Sequence, residues 1–240
     1  MDRRGWNTAR AINVEAVTAS SSQYDRCLNS VHLSQGATLL CCGVSAKLGP
    51  TSLDAPDDGR LVVSVSFPLI GSSVGGAAIE QAQHVMRYFL EQAIPLLVDV
   101  TDLLILRGVA CWVVLVDVVV LNADGSLLDA ALKCASHALG GVTLPRTTLP
   151  GSGVVVQPKP LKTVRKLGSC CTVALLRAST VLLLDPSSAE ESVADCLVTV
   201  VLEEEGGRVL LFWNHGGLPV APMVTRRIVQ LTMMRAGNLE

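Results

Sequence analysis

The sequence predicts an α+β chain made of two successive halves, each a block of strands followed by a helix. Runs of strand length rich in Val and Leu are bounded by Gly, Pro, Asp and Ser. Stretches with helical apolar spacing close both blocks. The 240 residues are 50% hydrophobic and only 17% charged, the opposite of a disordered balance. The longest apolar run, Val109 to Leu121, has 13 residues and contains Asp117. A spanning helix needs about 20, so no membrane role is expected. Nor does Met1-Asp2-Arg3-Arg4-Gly5-Trp6 resemble the apolar start of a signal peptide. With a mean hydropathy of +0.46, apolar surface should be hidden in a core or against other proteins.

Ile12–Val17, Ala37–Ala46 and Leu61–Phe67 read as short strands. Ile79, Ala82, Met86, Phe89, Leu90 and Ala93 recur at helical spacing, which predicts a helix over Ala77–Ala93. Leu103–Arg107 and Ala110–Leu121 return to strand, and the Val-rich composition of the second suggests burial on both faces. The turn Asn122-Ala123-Asp124-Gly125 leads into Ser126-Leu127-Leu128-Asp129, a capping-box variant that opens a helix to about Leu139. Gly140-Gly141 ends it.

Residues 145–168, rich in Pro, Gly, Thr and Lys, read as the crossing into the second half. Cys170–Arg177, Val181–Leu184, Ala194–Glu203 and Val209–Trp213 are its strands. Val220–Met234 is the closing helix, with Val220, Val224, Ile228 and Leu231 on its apolar stripe. The organisation is then a short N-terminal segment (1–9), one domain over 10–217 and a C-terminal helix (218–240). Within the domain the first half runs to about residue 144, and the second spans 169–217. The repeated plan suggests an internal duplication.

Eight cysteines show no Cys-x-x-Cys spacing and no His partner at ligand distance, so no metal is implied. Cys41-Cys42 and Cys170-Cys171 lie in strand-like runs whose neighbours point to opposite faces, and we read them as reduced core thiols of an intracellular protein. The net charge is −2, which excludes a strongly basic nucleic-acid binder, but the charges are segregated. Ala130 to Leu184 contains no acid and seven bases: Lys133, Arg146, Lys159, Lys162, Arg165, Lys166 and Arg177. Asp185 to Glu205 contains seven acids and no base. The basic stretch suits either phosphates or a solvated loop. The scarcity of aromatic stacking partners favours the loop.

A set of patches in fixed order is more specific. Leu53-Asp54-Ala55-Pro56-Asp57-Asp58-Gly59 precedes Leu61-Val62-Val63-Ser64-Val65. Upstream lie Arg10-Ala11-Ile12, Glu15 and Gly36-Ala37-Thr38-Leu39-Leu40-Cys41-Cys42-Gly43-Val44. Downstream come Glu80-Gln81-Ala82-Gln83, Trp112 and Asp124-Gly125-Ser126-Leu127-Leu128-Asp129-Ala130-Ala131. Leu184-Asp185-Pro186, Glu190-Glu191 and Glu204-Glu205-Gly206-Gly207 follow in the second half. Together, from about Arg10 to Gly217, they resemble the RNase PH-like ring subunits of the eukaryotic RNA exosome, in particular the non-catalytic ones.

The resemblance implies an RNase PH-like fold in a ring of six related subunits, arranged as three heterodimers, with RNA threaded through a central pore. It implies cap proteins on one face, a processive nuclease on the other, and a location in nucleus, nucleolus and cytoplasm. No cofactor follows from it. Active cousins cleave RNA by phosphorolysis, in which inorganic phosphate attacks the 3′-terminal linkage and a nucleoside diphosphate leaves. Such chemistry needs preorganised positive charge. The family's phosphate-holding Gly-Thr-Arg is here Ser126-Leu127-Leu128, and Ala77 stands where a second phosphate-binding Arg belongs. Leu183 falls at the first of two site acids, and Glu191 corresponds to the second. Asp185 opens an Asp-Pro turn and reads as a local cap. The resemblance therefore implies a catalytically dead subunit. The competing readings are an active phosphate-dependent 3′-to-5′ exoribonuclease and an α+β domain alike in fold only.

Overall fold

Alternation of apolar and polar side chains makes two long neighbouring strands, Thr38–Gly49 (β3) and Ala110–Asn122 (β6), the centre of a first sheet. They pair antiparallel, Val44 opposite Val116 and Cys42 opposite Val118. Outward lie Cys27–Gln35 (β2) and Ile12–Ala16 (β1) on one side, and Arg60–Ser66 (β4), parallel to β6, on the other. A short strand, Leu104–Leu106 (β5), also pairs with β6. The β6 side chains Val116, Val118 and Val120 face the core, while Asp117 on the opposite face is exposed. On that opposite face Cys111 and Val113 are buried as well, so the Val-rich run is buried on both faces over its first part and opens to solvent at Asp117. The computed structural model describes residues 9–16, 27–68, 76–148, 155–160, 167–177, 181–203 and 207–237.

Two helices cover the inner face of this sheet. Gly76–Leu97 (α1) extends the expected helix by a turn and carries Pro95 in its last turn, where the helix stops. Leu127–Gly140 (α2) is buried nearly all round, from Leu128 and Ala131 to Ala135 and Leu139. A helix buried on every side lies between two layers, and α2 packs on β2 and β3 below and on the second sheet above.

The second sheet runs Val181–Leu184 (β10), Leu167–Leu176 (β9), Cys196–Glu203 (β11) and Val209–Gly217 (β12), all antiparallel. Cys170 points to the first core and Cys171 to the second, so this sheet is covered on both faces. The outer cover is Pro222–Gly237 (α4), whose Ile228 is buried and whose Val224 and Leu231 pack beside it, as the predicted stripe requires. All eight cysteines are free thiols, six of them buried. No helix among the described residues is long and apolar enough to cross a membrane.

The stretch before β3 and the segment 145–168 differ from the sequence reading. β2 was not foreseen, because Asn29, Ser30, His32, Ser34 and Gln35 make it a polar strand, yet Val31, Leu33 and Gln35 alternate inward. The segment 145–168 is not a plain crossing. Thr143–Thr148 (β7) and Val155–Pro160 (β8) form an antiparallel hairpin, Arg146 opposite Gln157. Lys162, Arg165 and Lys166 lie outside the described residues.

Candidate functional site

The halves meet at the N-terminus of α2, beside a short helix, Ser188–Glu191 (α3), that follows β10. Gly125 is the turn residue there, with φ +76° and the Pro186 carbonyl against its Cα. A Cβ would collide with that carbonyl, so the close approach of the halves requires glycine. Ser126 follows in the left-handed region (φ 51°) and makes no side-chain cap. The expected capping box does not form here. Ser126 Oγ instead donates to Pro186 O at 3.1 Å, while Ser187 and Glu190 form a reciprocal box on α3.

The orphan amide at the head of α2 is taken by an acid from the other half. Ser126 N donates to Glu191 Oε1 at 2.6 Å, which puts a carboxylate at the positive end of the helix. Burial raises the Glu191 carboxyl above its ordinary value, offset only in part by that amide, and Asp129 adds to the rise.

Arg10 crosses this seam. Its backbone N and Nε donate to Asp185 Oδ2 at 2.7 and 3.1 Å, and Nη2 donates to Oδ1 at 2.7 Å. Nη1 donates to the Asp124 carbonyl at 2.5 Å, and Nη2 reaches Pro186 O at 3.3 Å. Gly36, with φ +60°, lies where a Cβ would strike the Arg10 stem. Asp185 is fully buried and also accepts from Gln35 Nε2 at 2.6 Å. Burial works to raise its carboxyl, but the hydrogen bonds and charge of Arg10 outweigh this and hold it below its ordinary value. Asp185 is therefore an inter-half anchor, not the local cap suggested by its Asp-Pro context.

The polar seam continues inward. Asp129 accepts from Lys133 Nζ, Gln35 Nε2 and Thr172 N, each at 3.3 Å. Arg235 of α4 lies 3.8 Å from Asp129 and donates to Cys171 Sγ at 3.0 Å. Lys133, one of the seven bases of the acid-free stretch, is thus buried and paired.

Beside the head of α2 a cavity of about 310 Å³ opens between α1 and the second sheet. Phe67, Val85, Met86, Leu127, Leu128 and Leu197 form its apolar wall, and Gln81, Thr172, Glu191 and His215 its polar groups. No Lys or Arg lines it among the described residues. His215 keeps an exposed edge and accepts or donates at Thr199 Oγ1 over 2.7 Å. The protein around its ring pushes it down to about 4, so the imidazole is neutral at pH 7.

Of the residues singled out in the sequence, the structure brings Ser126, Leu127 and Leu128 together with Glu191. Ala77 is exposed in the first turn of α1, next to the lining residue Ala78. Leu183 is buried in β10 opposite Ala174 and lines no part of the cavity. Arg10, Gln35, Asp129, Thr172 and His215 were not foreseen. Arg10 and Asp129 had their places in motifs, but their partners lie far off in sequence, 175 residues away for Arg10 and 94 for Asp129 with Gln35.

Models of the 3′ exoribonuclease family, RNase PH, match residues 9–145 with domain 1 and 167–223 with domain 2. The chain belongs to the RNase PH family. An exosome complex component Rrp42 from Methanocella arvoryzae is 32% identical, over 99% of this chain and 88% of that protein. Rrp42 of Methanopyrus kandleri is 29% identical, over 86% of this chain and 76% of that protein. These relatives are archaeal, whereas the motif resemblance is to eukaryotic subunits; the RNase PH fold is common to both. An Archaeoglobus fulgidus exosome structure with RNA bound to the active site aligns with a TM-score of 0.77 at 23% identity, covering 100% of this chain and 90% of that one. Rice Rrp46 aligns with a TM-score of 0.65 at 16% identity, over 99% and 94% of the two chains. Both likenesses concern the fold.

Proposed function

We propose that this RNase PH-family chain is a catalytically inactive structural subunit of the six-membered ring of an RNA exosome. There it closes the ring, docks cap proteins and a processive nuclease, and borders the path of RNA during 3′-to-5′ processing and degradation, including that of rRNA. Its similarity to Rrp42 exosome components over nearly its whole length supports the assembly. The motif resemblance to eukaryotic subunits supports a location in nucleus, nucleolus and cytoplasm.

One observation carries the inactive reading. The anion position at the head of α2 is filled by the chain's own Glu191, and among the described residues the cations of the adjoining seam, Arg10, Lys133 and Arg235, all face carboxylates. A phosphate arriving there would meet a carboxylate and the apolar Leu127 and Leu128. Losing one preorganised donor costs a phosphoryl or acyl transfer about 3–4 kcal/mol, and here the arginines at the Ala77 and Leu128 positions are both gone. The alternative, an active phosphate-dependent 3′-to-5′ exoribonuclease, draws on the convergence of Asp185 and Glu191 at this turn. It lacks a free cation in the cavity among the described residues.

The test is incubation of the full chain with 3′-labelled RNA and inorganic phosphate. No nucleoside diphosphate should appear above background. Phosphate-dependent release that Glu191→Gln abolishes would establish the active reading instead.

A further inference from the structure

We propose that the cavity at the head of α2 is a binding site for a small organic cation, an amine or amidine on a small apolar body, with Glu191 as its counter-charge. This deepens the reading above and rests on it, since a site that held phosphate would exclude such a ligand.

Size comes first. At about 310 Å³ the cavity is at the lower end of small-ligand sites and suits one ring with one charged substituent. Its wall supplies the apolar contact: Phe67, Met86 and Leu128 are buried, and Leu127 and Leu197 flank them.

Charge then selects among ligands of that size. Among the described residues Glu191 is the only acid in the lining, and no Lys or Arg opposes it there. Its Oε1 is fixed by Ser126 N, so the carboxylate is preorganised. Asp129 and Asp185 press on it from behind, with Arg10 acting in the opposite sense. An entering cation relieves that strain on the ionised carboxylate, whereas an anion adds to it. His215, neutral at pH 7, does not repel a cation.

A divalent metal does not fit. Asp185 is engaged by Arg10 and Gln35, and the described residues contain no group of three ligating side chains.

The experiment titrates the full chain, or its complex with ring partners if the isolated chain is insoluble. The probes are benzamidine, its neutral analogue benzyl alcohol, and inorganic phosphate. Benzamidine should bind at least about tenfold tighter than benzyl alcohol, the scale of one charge-assisted contact, and phosphate should not compete. Glu191→Gln keeps an oxygen for Ser126 N and should bring the two organic probes to parity. Ala82→Trp, at an exposed position of α1 on the lining, should fill the mouth and remove both. Equal affinities in the wild type would overturn the proposal. So would displacement by phosphate, or benzamidine binding indifferent to both substitutions. RNA phosphorolysis by the chain would defeat the inactive-subunit reading, and with it the cation site that rests on that reading. Parity of the probes would defeat the cation site and leave that reading standing.

Discussion

Removing Arg10 leaves Asp185 charged and fully buried, and removing Asp185 leaves Arg10, 7% exposed, with only the more exposed Asp124 at 3.4 Å. Orphaning a buried charge in this way costs about 3–5 kcal/mol. Arg10→Ala and Asp185→Ala should each lower the unfolding free energy on that scale, the loss being larger for Arg10→Ala, as read from urea denaturation. The double variant Arg10→Met with Asp185→Leu should cost far less than the sum of the two, as read by a double-mutant cycle in urea. The pair also sets a pH dependence. Because Asp185 titrates below its ordinary value when folded, its contribution is complete above the unfolded carboxyl's value of about 3.9. It is lost as pH falls through the lower, folded value. Glu191 acts with the opposite sign. Its folded value is raised, so its ionisation weakens the fold above that value, and the penalty fades as pH falls towards about 4.3. Acid unfolding followed by circular dichroism should therefore steepen below about 3.9 in the wild type and flatten in the double variant. Gly125→Ala combines a left-handed backbone with a collision at Pro186 O and should destabilise by at least about 1–3 kcal/mol.

Among the elements, α2 governs how closely the layers approach. Its Ala131 and Ala135 are wholly buried, and no larger residue fits there without moving a sheet. Ala135→Leu should cost about 1–3 kcal/mol through overpacking, measurable as a lowered melting temperature. The position of α2 was legible in the sequence from its turn and its closing glycines; its surroundings were not. Asp129 had its place in the helix-opening motif and Lys133 in the acid-free basic stretch, yet the two pair four residues apart, buried among Gln35, Thr172 and Arg235. The strands rich in Val and Leu were legible because their propensity and burial agree. β2 was not, because its inward Gln35 is polar and finds its partners only after distant chain segments close. The hairpin of β7 and β8 was hidden by Pro145, Pro158 and Pro160, which local reasoning takes for turns. At the site, Ser126, Leu127, Leu128 and Glu191 were legible through motif resemblance. The seam around them rests on contacts between distant segments, 65 residues apart for Ser126 and Glu191 and 175 for Arg10 and Asp185.

For the molecule as a whole, the surplus of apolar residues is only partly used by the two cores. Leu53 is fully exposed, and Leu48, Leu106, Val109, Met223 and Met234 are also exposed. Obligate interfaces resemble a core cut in half, and a subunit held between two neighbours needs such surfaces. Expressed alone, the chain should be sticky or insoluble, and co-expression with another RNase PH-family ring subunit should raise its soluble yield. Good solubility as an isolated monomer would count against that account. The most direct test is native mass spectrometry of the complex pulled down with this chain from its source cells. Ring membership predicts one dominant assembly in which this chain stands among five further RNase PH-family subunits. Recovery as a monomer, free of any such chain, would contradict it.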